Sequence, residues 1–166
     1  METEADKKAE FKRRLEKKIA LEKRVLQECE RFSSHLKALA IHFERFIEDT
    51  ESHFEIHMFG SEIYGKPEML TGFDISAGKS VFKIQPEIRS GGNRPASTRF
   101  LFRVYGTKIP QNLNTDIFYD DSDSDSPWKS EEGRGVVMEN GEPKSLVSKK
   151  PITISELEDA LIDALT

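Results

Sequence analysis

Apolar residues in the first part of the chain return every three or four positions. Phe11, Leu15, Val25, Cys29, Phe32, Leu36, Leu39, Phe43 and Phe46 hold one heptad phase, the spacing of one face of an α-helix. Thr3 and Asp6 mark its start, since a threonine hydroxyl accepts from orphan N–H groups and an acid suits the positive end of the helix dipole. No Gly or Pro interrupts the run as far as Asp49. The pattern predicts a helix over residues 4–49, ~69 Å long at about 1.5 Å per residue. A globule of this size has a radius of gyration of only about 15 Å. The helix therefore bends, with Ser33-Ser34 as the natural place, or its first half projects. The unbroken phase across the serines favours projection. Lys18 and Glu22 interrupt the seam of that half, and the wider apolar face of Leu36–Ile47 is expected on the core.

A period of two then replaces the period of three and a half. Phe54, Ile56 and Met58 alternate with His53, Glu55 and His57, as in a half-buried strand. Residues 80–88 and 98–105 form the next two strands, joined by the turn-rich SGGNRPAS, and Asp116–Tyr119 a short fourth. Residues 135–139 and 142–147 flank Asn140-Gly141, a strong hairpin signal. Ser155 with Glu158 reads as a capping box opening a last helix, with Leu157, Leu161 and Leu165 on one face. Helix, strands, helix predicts an α+β fold: a long N-terminal helix packed on a mostly antiparallel sheet, with a short C-terminal helix. The expected division is a charged helical arm over 1–35 and one α+β domain over 36–166, with a flexible acidic loop at 120–132.

Composition adds limits. At 166 residues a single domain buries roughly 70% of its extended surface. With 36% apolar and 33% charged residues, the core is compact or part of the chain lies outside it. Apolar runs are too short to span a bilayer, so no membrane contact is expected. The start, METEADKKAEFKRR, has no apolar leader core, and a single cysteine suits a reducing compartment; both point to the cytoplasm. Net charge is −5, but the charges are segregated. Residues 7–24 carry nine Lys/Arg against three Glu, and residues 79–108 seven against one. Residues 114–142 reverse this with nine acids against two bases, and the last twelve residues hold four acids and no base. Blocks of opposite sign pair with each other or with a partner.

Residues 57–76, HMFGSEIYGKPEMLTGFDIS, carry the sharpest motif. An apolar run ends in Gly60-Ser61, with Gly65 and Asp74 following. This resembles the core signature of the nucleotidyltransferase superfamily, in which a Gly-Ser backbone approaches phosphates and paired acids hold Mg²⁺. The resemblance implies a nucleotide site at Gly60, Ser61 and Asp74. It covers only this stretch and departs at Gly72, which stands where the first acid belongs; Glu87 or Asp116 would supply the third carboxylate. The reading that needs least is a strand followed by an ordinary loop. Gly72 with Gly78-Lys79-Ser80 misses the phosphate-loop spacing by one residue.

His53, Glu55 and His57 share one face of a strand, a donor set suited to zinc and equally to a solvated face. Asp121, Asp123, Asp125 and Glu132 match acidic positions of a calcium loop, but Ser126 replaces its glycine and no helices flank it. Ser122 in that stretch suits an acid-directed kinase, and Trp128 reads as an exposed anchor or a clamp on the core. No cofactor or metal is assigned.

The function expected from these features is a non-enzymatic protein-binding module: an inhibitor, adaptor or immunity-type factor acting through a macromolecular partner. The candidate contact residues are Lys12, Arg13 and Lys17 in the arm, Arg89, Arg94 and Arg99 in the second basic block, and Trp128. Another protein is the expected partner, with an antiparallel homodimer through the arm as one form. Nucleic acid is disfavoured by the acidic total and the lack of a stacking motif.

Overall fold

Helix α1 runs unbroken from Glu4 to Glu48 in the computed structural model, which describes residues 1–48, 50, 53–91 and 94–166, without the side chains of 90–97, 132–134 and 145–147. The expected end at Asp49 lies outside the described residues. Thr3 and Asp6 cap the start reciprocally: the Asp6 N–H donates to Thr3 Oγ1 at 3.2 Å, and the Thr3 N–H donates to Asp6 Oδ2 at 3.1 Å.

The helix does not bend at Ser33-Ser34. Ser33 Oγ donates to the Met69 carbonyl at 2.8 Å and accepts from the Thr71 N–H at 3.1 Å, so the place where a bend would have been most natural pins the helix to the sheet instead. Ser34 returns its hydroxyl to the Glu30 carbonyl at 3.0 Å. Burial begins at Val25 and continues through Cys29, Phe32, Leu36, Leu39, Ala40, Phe43 and Ile47. Upstream, Phe11, Leu15 and Ile19 are 68%, 44% and 56% exposed. The first half projects, and the projecting part ends near Val25 rather than at residue 35. That leaves an arm ~30 Å long at about 1.5 Å per residue.

Seven strands follow: β1 (Glu55–Ile63), β2 (Lys66–Ala77), β3 (Ser80–Gly91), β4 (Arg94–Gly106), β5 (Ile117–Tyr119), β6 (Trp128–Glu139) and β7 (Glu142–Pro151). They form one sheet in chain order with every pairing antiparallel. A single 3₁₀ turn at Gln111–Leu113 precedes β5, and α2 (Ile154–Leu165) closes the chain. The fold is α+β, a long helix and a short one against an antiparallel sheet.

Three boundaries differ from the sequence pattern. Residues 66–77 are a strand, not a loop. Leu70 to Phe73 are all buried, so the strand shows no alternation. Gly72 is what lets it fit: a Cβ there would lie 2.4 Å from Pro86 Cδ and 2.7 Å from the Ile84 carbonyl oxygen. The turn into it, Tyr64-Gly65, has φ of 47° and 76° at its two residues, as a two-residue hairpin of primed type requires. Second, β6 begins at Trp128, so the acidic segment outside the sheet spans 120–127 rather than 120–132. Third, α2 is capped by Thr153, whose hydroxyl accepts from the Glu156 N–H at 3.1 Å, two residues before the expected Ser155.

Both helices cover the same sheet face. Phe43 meets Phe73 and Phe82 at ring-centroid distances of 6.0 and 5.6 Å, and Phe32 meets Phe100 and Trp128 at 6.0 and 6.2 Å. Leu157, Ala160, Leu161 and Ala164 of α2 are buried beside them. The opposite face is open.

Candidate functional site

Register sets what the open face presents. His57, Asp74, Lys83 and Tyr105 lie abreast across β1 to β4, because each pairs with the next. His57 Nδ1 is 3.5 Å from Asp74 Oδ2, and Tyr105 Oη is 3.3 Å from Glu87. Lys83 Nζ sits 4.8 Å above the Phe59 ring. Arg89 and Arg99 are cross-strand partners, two like charges that would repel unless each had an acid. Each has one: Arg89 pairs with Asp116, which also takes Arg103 at 3.4 Å, and Arg99 pairs with Glu131 while lying 3.9 Å over the Phe118 ring. A phosphate would have to displace these carboxylates, so Arg89, Arg99 and Arg103 of the second basic block are engaged within the fold. The Arg94 side chain lies outside the described residues.

Gly60 and Ser61 sit inside β1, paired with Thr71 and Leu70, and Asp74 sits in mid-β2 opposite His57. The structure thus presents a β-hairpin where the motif needs a Gly-Ser loop. Gly78-Lys79 is the two-residue turn between β2 and β3. Among the described residues, no three His, Cys, Asp or Glu side chains converge on a metal position.

Trp128 is 4% exposed, at 5.0 Å from Phe102 and 4.9 Å from Tyr119. It is a core clamp rather than a surface anchor, because pairing of β6 with β5 turns its indole under α1. The acids before it are drawn apart by separate bases. Asp121 pairs with Arg31 of α1, Asp123 with Lys129 at 2.6 Å and Asp120 with Lys149 at 3.9 Å. The Glu132 side chain lies outside the described residues.

Where the acidic turn meets α1 and β4 there is a cavity of about 170 Å³, lined by Arg31, His35, Arg99, Tyr119 and Asp121 among others. The His35 ring stacks on Tyr119 at 3.6 Å, and its Nε2 is buried with no hydrogen-bond partner among the described residues. Burial pushes its pKa below the ordinary value of 6.5; Arg31 adds to this and Asp121 opposes it. The unfolded chain therefore binds the proton first as pH falls. Stability from this group is full above about pH 6.5 and is lost as pH drops through the window between that value and the lower folded one. Denaturant midpoints between about pH 7 and 5 should fall more steeply for wild type than for His35→Phe. Parallel curves would show that His35 contributes nothing to the acid limb.

The arm carries Lys12, Arg13 and Lys17. Glu10 takes Arg13 at 2.7 Å and Arg14 at 2.9 Å, and those two guanidiniums hold its carboxyl down to about 2. Glu4–Lys8, Lys12–Glu16 and Lys18–Glu22 are further one-turn pairs, of the kind that support an isolated helix. Lys17 has no ion pair among the described residues. Tyr64, at the β1–β2 turn, lines a cleft of about 390 Å³ together with Lys17, Lys18 and Leu21 at the root of the arm.

At the opposite end of the molecule is an apolar cleft of about 280 Å³ between the end of α1 and α2, lined by Phe46, Ile47, Phe54, Leu161, Ile162 and Leu165. Sequence reasoning missed it, since it joins residues far apart in the chain; the one available signal was Phe46 and Ile162 on two separate apolar faces. The β6–β7 ribbon also leaves Val136, Val137 and Met138 exposed near its Asn140-Gly141 turn.

The fold is an α+β unit in which a continuous 45-residue helix runs along one side of an antiparallel meander. No protein-family model, curated protein or solved structure matches the chain. No helix among the described residues is long and apolar enough to cross a membrane.

Proposed function

We propose that this chain is a protein-binding module, acting by contact rather than catalysis as an inhibitor, adaptor or immunity-type factor, with the α1 arm as its binding element. One observation carries the reading. Phe11, Leu15 and Ile19 lie exposed at one-turn intervals on a helix whose other half is locked into the core. An amphipathic helix with anchors at this spacing is the ligand half of a helix-in-groove contact. Because the rest of α1 is fixed, the arm loses little freedom on binding, which favours affinity. Its basic flanks select an acidic surface. The buried lone Cys29, whose thiol is pushed up by burial, suits a reducing cytoplasm.

The test is a photo-crosslinking residue at position 15 or, as a control on the open sheet face, at position 103, used in cells of the source. Adducts to a defined protein from position 15, reduced at least about tenfold by adding Ile19→Asp, are expected, a loss of roughly 1.4 kcal/mol or more. Equal adducts from both positions would remove the arm from the function.

A further inference from the structure

The arm and the cleft at the far end of the molecule are both apolar, and the charges around them are opposite in sign. The arm offers Phe11, Leu15 and Ile19 among a surplus of six positive charges in residues 7–24. The cleft is apolar within, with Phe46 39% and Ile162 45% exposed. The helix beside it, α2, carries Glu156, Glu158, Asp159 and Asp163 and no base. On the other flank of the α1 end, Glu44 and Glu48 stand with a single base, Arg45.

We infer that the arm docks into this cleft on a second copy of the chain, an inference that rests on the arm being the binding element. A chain cannot satisfy its own cleft. Leu15 and Phe46 lie on one continuous helix, ~45 Å apart along its axis. Arm against arm is the other way for two copies to meet, and charge opposes it. Each arm brings the same positive surplus, and the Lys18 and Glu22 that would pair across such a seam are already paired within each helix at 4.0 Å. Arm against cleft instead sets positive on negative and apolar on apolar. The register is self-consistent along the helix axis: with two α1 helices antiparallel and Leu15 of one level with Phe46 of the other, a two-fold axis relates the converse contact. Two identical contacts hold the pair, each screened by salt.

Light scattering on the full chain at tens of micromolar tests this, with one variant for each surface. Leu15→Asp/Ile19→Asp spoils the arm and Asp159→Lys/Asp163→Lys reverses charge on α2, the helix that forms one wall of the cleft; Leu15, Ile19, Asp159 and Asp163 are exposed, and unchanged thermal midpoints would confirm the folds. Wild type should show at least twice the monomer mass at low salt and fall towards monomer at high salt. Each variant alone should be monomeric. An equimolar mixture of the two should regain a one-to-one pair, because one intact arm and one intact cleft remain. A monomeric wild type overturns the inference, as does a mixture that stays monomeric. An α2 charge-reversed variant that still dimerises like wild type would mean that arms pair with arms, and overturns it too. A monomeric wild type that still gives arm-dependent crosslinks to another protein would sink only the second copy and leave the arm as the binding element.

Discussion

Phe43→Ala is expected to lower the free energy of unfolding by about 3–5 kcal/mol, while Phe11→Ala costs less than about 0.5 kcal/mol. Both residues occupy the same seam of one helix, so helix propensity and side-chain chemistry cancel in the comparison. What differs is the surroundings. Phe43 is 0% exposed and its ring meets Phe73 and Phe82; truncation there removes a large apolar area and leaves a hole that a rigid sheet cannot close. Phe11 stands in solvent at 68% exposure, and nothing in the single chain loses a neighbour when its ring goes. Leu39→Ala belongs with Phe43, at about 2–5 kcal/mol. Denaturant midpoints, taken well below the concentration at which copies associate, measure the contrast. Equal losses at Phe11 and Phe43 would place the amino-terminal half of α1 inside the core.

Trp128→Ala should cost about 3–5 kcal/mol, and the native indole should emit at short wavelength and resist aqueous quenchers. Its ring lies edge-on to Phe32, Phe102 and Tyr119, contacts that join α1, β4 and β5. The Ile152 N–H also donates to the Trp128 carbonyl at 2.8 Å, tying the entry of α2 to the start of β6. Deleting residues 120–132 would therefore remove this clamp and all pairing of β5 with β6; it is not the neutral excision that an acidic loop of that length suggests. An exposed-type emission spectrum, or an alanine variant as stable as wild type, would show that β6 is not anchored through its tryptophan.

The long helix, the Asn140-Gly141 hairpin and the α+β class were legible because each is a local signal: one seam without Gly or Pro, one turn dipeptide, one change of period. β2 was not legible, since the run of four buried residues from Leu70 to Phe73 erases the alternation that marks a strand, and Gly72 reads as a loop residue until Pro86 and Phe59 are seen against it. The same cause hid the meaning of Gly60, Ser61 and Asp74. Their spacing is that of a motif, but the pairing partners that make them parts of a hairpin lie across the turn. Trp128 misled for the opposite reason. Its chain neighbours are polar, and its apolar neighbours come from other elements. The arm was visible in outline, with its end misplaced because Val25 and Cys29 look like any other seam positions until Met69 meets the helix; Cys29 Sγ lies 3.4 Å from the Met69 carbonyl oxygen. The cleft that complements the arm belongs to no segment, and no reading along the chain could assemble it.

The strand order has a consequence for how the molecule is made. Every strand bonds to its immediate successor in the chain, and three of the connections among the described residues, at 64–65, 78–79 and 140–141, are two residues long. Closing so short a loop costs little chain entropy, and hairpins form in about 1–10 μs, far faster than a ribosome adds the next residue at roughly 5–20 per second. Each strand emerging during synthesis meets a partner already waiting beside it, so the sheet can grow in the order in which it is translated. α1, made before the sheet, waits as a helix until β2 arrives to receive Ser33. α2, made after the sheet, is the lid, and until Ala164 seats over Gly106 the nascent sheet keeps one apolar corner open.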